Sequence, residues 1–172
     1  MILDAVRRKF INKLRRDKES TKNESFEFSK IKSVGCIIDL DKYENPNHLI
    51  SEFKQLGLSG AEFKIIGFSR KNSKQKEDTL IPVFYKNEVG IKGKLKGENL
   101  QNFVDGRYDV LINYFAEDVF EMKLVSLMVK ASITAGFPTV DQKCNDLILN
   151  CEYTNVKQFF EILKRYLKVI KK

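Results

Sequence analysis

Tryptophan is missing from this chain of 172 residues, histidine occurs once, as His48, and cysteine and proline occur three times each. Three cysteines without paired spacing make no disulfide framework. With one histidine and no CxxC pair, a structural zinc site has almost no ligands to draw on, so no metal and no cofactor is expected. No apolar run approaches the ~18–20 residues of a membrane-spanning helix. The first residues, MILDAVRRKFINKLRRDKES, lack the apolar core of a secretory signal. They are amphipathic and arginine-rich, as mitochondrial transit peptides are, yet they contain Asp4, Asp17 and Glu19 and little serine. A reducing cytoplasm is the expected location. Cys36 in GCIIDL and Cys151 in LILNCEY lie in apolar stretches and are expected as buried free thiols.

The chain does have material for a core. Hydrophobic residues make up 42% of it and phenylalanine alone occurs 13 times, which excludes wholesale disorder. The length suits one domain. Ile2, Val6, Phe10 and Leu14 recur every four residues, with Leu3 and Ile11 widening the stripe, so residues 1–18 are predicted as an amphipathic helix. The polar stretch ESTKNESFEFSKI then reads as a linker. The expected organisation is therefore a basic amphipathic helix and linker over residues 1–31 and a single α/β domain over 32–172.

Within that domain strands and helices alternate. Strands are predicted at Val34–Leu40, Ala61–Ser69, Leu80–Tyr85, Tyr108–Tyr114, Ile133–Phe137 and Leu147–Cys151. Pro82 places the third at a sheet edge. Helices are predicted after Asn45-Pro46, closing at Gly57, and at residues 98–104, Val119–Ala131 and Asn155–Ile170. This alternation implies a three-layer α/β fold, with a mostly parallel sheet of five or six strands and helices on both faces, preceded by the amphipathic N-terminal helix.

Charge is unevenly placed. Lysine and arginine number 31 against 23 aspartates and glutamates, a net charge of +8. Residues 1–20 hold seven basic and three acidic side chains, residues 156–172 hold six and one, and the chain between them is close to neutral. A localised basic surface attracts polyanions better than scattered charge, and each phosphate it neutralises releases counterions. Arg7, Arg8, Lys13, Arg15, Arg16, Lys164, Arg165 and Lys168 are the expected phosphate contacts if both ends converge on one outward patch. The implied partner is RNA or the ribosome, read through its backbone rather than its bases. A lysine-rich outer helix face also serves simply as a solvated surface. The first helix has further uses, docking on a partner protein or lying on an anionic membrane. Lys92, Lys94 and Lys96 in IKGKLKG alternate, as on one side of an extended segment, and Arg70, Lys71, Lys74 and Lys76 would widen that surface.

Chemistry-bearing motifs are few. GIKGKLKG has neither phosphate-cradle spacing. Parallel sheets bind ligands beyond the carboxyl ends of their strands. There the sequence puts Asp39 and Asp41 after the first strand, Asn113, Glu117 and Asp118 at and after the fourth, and Asp141 past the fifth. These acids suit Mg²⁺ or a small polar ligand, and equally suit helix caps and strand ends. His48 has no nucleophile near it in sequence. Nothing carries an active-site signature, and the expectation leans toward a protein that binds rather than catalyses.

SVGCIIDL, YDVLINYFAED and a C-terminal helix ending in lysines, behind the basic N-terminus, resemble a family of small basic α/β proteins of Bacteroidetes, a domain of unknown function. The resemblance implies a cytoplasmic bacterial α/β protein and transfers no catalytic residue. Locally, YDVLINYFAEDVFEMKLVSLMVKASITAGFP is similar to a strand–helix–strand unit of heptosyltransferase-type glycosyltransferases. That likeness implies a degenerate, nucleotide-sugar-binding α/β domain, since the second domain such enzymes use has no counterpart here.

Overall fold

Apolar runs too continuous for a half-exposed strand dictate a sheet covered on both faces, and that is how the chain folds. A computed structural model describes residues 2–21, 26–43, 45–58, 60–75 and 79–170. Six strands, β1 (Ser33–Asp39), β2 (Glu62–Ser69), β3 (Val83–Tyr85), β4 (Arg107–Tyr114), β5 (Lys130–Gly136) and β6 (Leu147–Ile148), form one sheet in the order β3-β2-β1-β4-β5-β6. Every neighbouring pair in it is parallel. Among the described residues the α-helices α1 (Ile2–Thr21), α2 (Pro46–Lys54), α3 (Glu98–Asp105), α4 (Phe120–Met128) and α5 (Val156–Val169) cover it.

Alternate side chains of each strand enter two separate cores. Val34, Cys36, Ile38, Val110, Ile112 and Tyr114 face α2 and α5, whose Leu49, Phe53, Phe159, Phe160 and Leu163 complete that layer. Ile37, Ile66, Phe68 and Leu111 face the other way, toward Leu100 and Phe103 of α3 and Met122, Leu124 and Val125 of α4. Ile11 of α1 joins this second layer at 4% exposure, with Phe10 and Leu14 beside it. Phe26 and Ile31, from the stretch read as linker, are buried in the first layer. The compact body thus includes the N-terminal helix and the described end of that stretch.

The two basic terminal helices therefore lie on opposite faces of the sheet. The single patch expected from their convergence does not form, because each helix has its own apolar stripe and the two stripes complete different cores. Three smaller differences have local causes. The helix expected to reach Ala131 ends at Met128, since Val129 is extended and Lys130 and Ala131 pair with Arg107 and Tyr108 of β4. The last strand stops at Ile148, and Leu149 is fully buried just beyond it. The edge strand is shorter than expected, although the Pro82 carbonyl still accepts the Gly67 N–H at 2.9 Å. Asn45 and Asn155 stand at the predicted N-caps. Only Asn155 makes the cap bond, accepting the Gln158 N–H at 3.1 Å. Gly57 takes φ +76° past the end of α2, as a helix-closing glycine does. Among the described residues no helix is long and apolar enough to cross a membrane.

Candidate functional site

The strand order reverses direction between β1 and β4, and in open parallel sheets the crevice beyond such a switch point is where ligands bind. At this point Asp39 closes β1, and Arg70 follows directly on β2. The chain leaving β1 crosses β2 with the Leu40 side chain lying over Gly67, where a Cβ has no room. That crossing brings Asp41 to the start of the loop after β2, where its Oδ2 accepts the Arg70 N–H at 2.8 Å. The Arg70 guanidinium then binds Asp39 through two parallel bonds of 2.9 and 3.0 Å, Asp41 at 3.1 Å and Glu117, beyond β4, at 3.3 Å. Lys42 reaches Glu117 at 3.3 Å.

Asp39 is 1% exposed, so its charge requires a partner, whereas the Arg70 side chain keeps 35% exposure and faces the crevice. Its hydrogen bonds to Asp39, seconded by Asp41, hold the guanidinium protonated well above the ordinary arginine value. Behind this clasp Tyr43, Tyr114 and Tyr153 pack ring to ring, with centroids 5.1–6.0 Å apart. The Tyr114 hydroxyl donates to the Tyr153 carbonyl at 2.5 Å. The hydroxyls of Tyr43 and Tyr153 are buried and have no hydrogen-bond partner among the described residues. Burial raises Tyr43 to about 12 and pushes Tyr153 up as well, with Asp39 adding to the shift of Tyr153. All three phenols are therefore neutral at ordinary pH, and of the three hydroxyls Tyr114 donates within the cluster.

Of the six residues that the sequence places at the strand ends, Asp39, Asp41 and Glu117 meet at Arg70. Asn113 does not join them: it lies in register with Ile37, two residues short of Asp39, and donates to Ser126 Oγ at 2.8 Å and Asn145 Oδ1 at 2.7 Å. Asp118 pairs with Lys123 at 3.0 Å. Asp141 caps the turn at residues 142–144 and pairs with Arg15 at 3.3 Å. Among the described residues no three His, Cys, Asp or Glu side chains are placed to hold a metal ion. Sequence reasoning misses Arg70 at this site, counting it toward the basic surface of Lys92, Lys94 and Lys96 instead. The available signal was its position, the first residue after a strand at the carboxyl edge of a parallel sheet.

The thiols differ from expectation. Cys36 and Cys144 are the buried pair, and Cys151 is only partly covered. Desolvation pushes all three upward, Cys144 to about 11. His48 faces Glu52, 3.6 Å away on the same helix. A cleft of about 200 Å³ lies between β3 and the start of α3, lined by Thr79, Val83, Tyr85, Glu88 and residues 97–99. The Glu88 carboxylate lies against Gly97, the N-cap of α3, and takes the Tyr85 N–H at 2.9 Å.

The basic residues sort by contact. On α1, Arg7 lies over the Phe120 ring at 4.9 Å and Arg15 bonds Asp141 and Asn12, so both are half-buried and turned inward. Arg8, Lys9, Lys13 and Arg16 are exposed. Lys9, Lys13 and Arg16 follow one another at four and three residues, which sets them on one strip of the helix. Beside α1, residues 88–96 form a tight hairpin closed by Gly90 N–H to the Lys94 carbonyl and Lys96 N–H to the Glu88 carbonyl, both at 2.8 Å. Lys92, Lys94 and Lys96 are exposed on it. The Phe10 ring seats on Gly93 of this hairpin, and a Cβ there would lie 2.9 Å from the ring. Arg70 is withdrawn into the crevice, Lys74 is exposed, Lys71 is engaged within the protein, and Lys76 lies outside the described residues. On the far face, Arg165 and Lys168 of α5 are exposed and Lys164 partly so, with the Lys168 ammonium 5.6 Å from the Phe28 ring.

Over residues 4–170 the chain matches the model of a family of unknown function, DUF6913. No curated protein and no solved structure matches it.

Proposed function

The chain belongs to the family of unknown function DUF6913, and we propose that it binds RNA through the phosphate backbone, using the surface that α1 and the 88–96 hairpin form together. The observation that carries this is the seat of Phe10 on Gly93. It ties the exposed strip Lys9, Lys13, Arg16 to the exposed Lys92, Lys94 and Lys96. Six cations from two elements make the kind of localised field that concentrates a polyanion. Lysines and arginines on a helix exterior contact phosphates and read no bases, so the binding is sequence-tolerant. The apolar face of α1 is already occupied by α4 and the hairpin, leaving Ile2 and Leu3 as its exposed hydrophobic residues. A membrane-surface helix needs that face free, which favours RNA over lipid.

Fluorescence anisotropy with a labelled oligouridylate, titrated across salt, tests the reading. With about six phosphates neutralised, the logarithm of the binding constant falls against log salt with a slope of about −4. Replacing Lys9, Lys13 and Arg16 with glutamine makes that slope shallower by about 2. Absent binding at low salt, or anionic vesicles bound with RNA ignored, refutes it.

A second reading rests on a separate observation, the clasp of Arg70 by Asp39, Asp41 and Glu117 at the switch point. Carboxylates that accept from hydroxyls, a guanidinium that donates and neighbouring tyrosine rings are the donor set of a sugar-like ligand. This supports a small-ligand site of the nucleotide-sugar kind. A nucleoside-diphosphate sugar that raises the melting temperature of the native protein, and not of Arg70→Ala, supports it. No shift at millimolar ligand refutes it.

A further inference from the structure

We infer that the protein is bivalent, holding one RNA segment on the α1–hairpin face and a second on the α5 face, and so bridges RNA segments. The inference rests on the RNA-binding reading above and adds a stoichiometry to it. It starts from the placement of the terminal helices on opposite sides of the sheet. Each helix is about 10–12 Å thick with its side chains, so the two outer surfaces are more than about 20 Å apart before the sheet between them is counted. The Debye length at physiological ionic strength is about 8 Å. The two fields are therefore screened from one another, and neither strengthens the other's hold on a shared strand.

The α5 face has its own cations. Lys157, Lys164 and Lys168 follow one another at helical spacing with Arg165 alongside, against Glu161 in the same strip. Lys54 at the end of α2 is exposed on this layer too. The Lys164 ammonium reaches the turn that closes α2, 3.8 Å from the position a Cβ on Gly57 would take. The helices α2 and α5 pack side by side in one core, so their outer faces form a continuous surface. A basic surface on each side of a sheet, set on rigid elements and too distant to cooperate on one short strand, is the geometry of a cross-linker.

An oligouridylate of about five nucleotides is near the lower end of single-strand site sizes and too short to pass around the sheet from face to face. Native mass spectrometry of the full chain with this oligomer is expected to show two copies bound. Donor- and acceptor-labelled oligomers mixed with the protein are expected to transfer energy. K164Q/R165Q/K168Q and K9Q/K13Q/R16Q should each reduce the stoichiometry to one and abolish the transfer while one copy remains bound. One copy on the unaltered protein, or two on either variant, overturns bivalency and leaves the RNA-binding reading intact. No copy on the unaltered protein overturns both.

Discussion

The tip of the Phe10 ring of α1 lies against the bare backbone of Gly93, which holds φ +80° in the hairpin beside it. Two requirements meet in that glycine, a left-handed backbone and the absence of a side chain. Gly93→Val violates both, and is expected to lift Phe10 and loosen α1 from α4. Overpacking of this kind costs about 1–3 kcal/mol, with the left-handed conformation adding to it. Limited proteolysis should show faster cleavage within α1 while the rest of the chain stays protected. Oligouridylate affinity should fall with it, although no cation has been removed.

Arg70→Ala leaves Asp39 buried at 1% exposure without its bidentate partner. Breaking a buried pair costs about 3–5 kcal/mol, and the partial exposure of Arg70 reduces this to about 2–4 kcal/mol. Asp39→Asn combined with Arg70→Ala should recover part of the loss, because no uncompensated charge then remains. Urea denaturation of the two single variants and the double variant measures the coupling. Strict additivity would mean that the clasp contributes nothing as a pair.

Much of the fold was legible because burial on both faces writes itself into composition. VGCIID and YDVLINY are apolar enough to require a covered sheet, and both are central strands. Strand order was not legible, since it depends on which crossovers pass over which face, and no single segment encodes that. The basic terminal helices show the same limit. Their charges were visible, but the face each helix covers follows from the shape of its apolar stripe against a core that exists only after folding. For the candidate site, Asp39, Asp41 and Glu117 stood out as strand-end acids. Arg70 did not, because a residue at the head of a charged loop resembles any solvated arginine until Leu40 crosses Gly67 and sets the acids beside it. Asn113 shows the opposite error. It shares a face with Asp39 but sits in register with Ile37, two residues short of the strand ends, where Ser126 and Asn145 take up its amide.

Gly136, the last residue of β5, leaves room for Asn145, whose Nδ2 would lie 2.5 Å from an added Cβ. Asn145 in turn accepts from the buried Asn113. Gly136→Ala is therefore expected to displace Asn145, leave the Asn113 amide short of an acceptor and destabilise the protein by about 1–3 kcal/mol. Thermal melting measures the loss. A melting temperature unchanged from the native protein would show that Asn145 moves aside freely. Amide exchange at Asn113 should quicken if the pair is broken.

Alkaline titration should weaken the fold in a window set by the buried thiol and phenols. Burial, with Asp141 adding to it, raises Cys144 to about 11, and burial raises Tyr108 to about 12, from ordinary values of 9.0 and 10.0. Between the unfolded and folded values the unfolded chain has released protons that the folded chain retains. Stability therefore falls as pH rises through that interval, and is complete below the unfolded values. Melting temperatures should be level up to about pH 8 and decline steadily from about 9 toward 11. Cys144→Ala removes one of these groups and should flatten the early part of the decline. A variant with the same slope as the native protein would show that the thiol does not titrate in this range. The share of tyrosinate absorbance that Tyr108→Phe removes should rise only as the fold is lost, since Tyr108 donates its hydroxyl to the Phe103 carbonyl at 2.8 Å and is held neutral there.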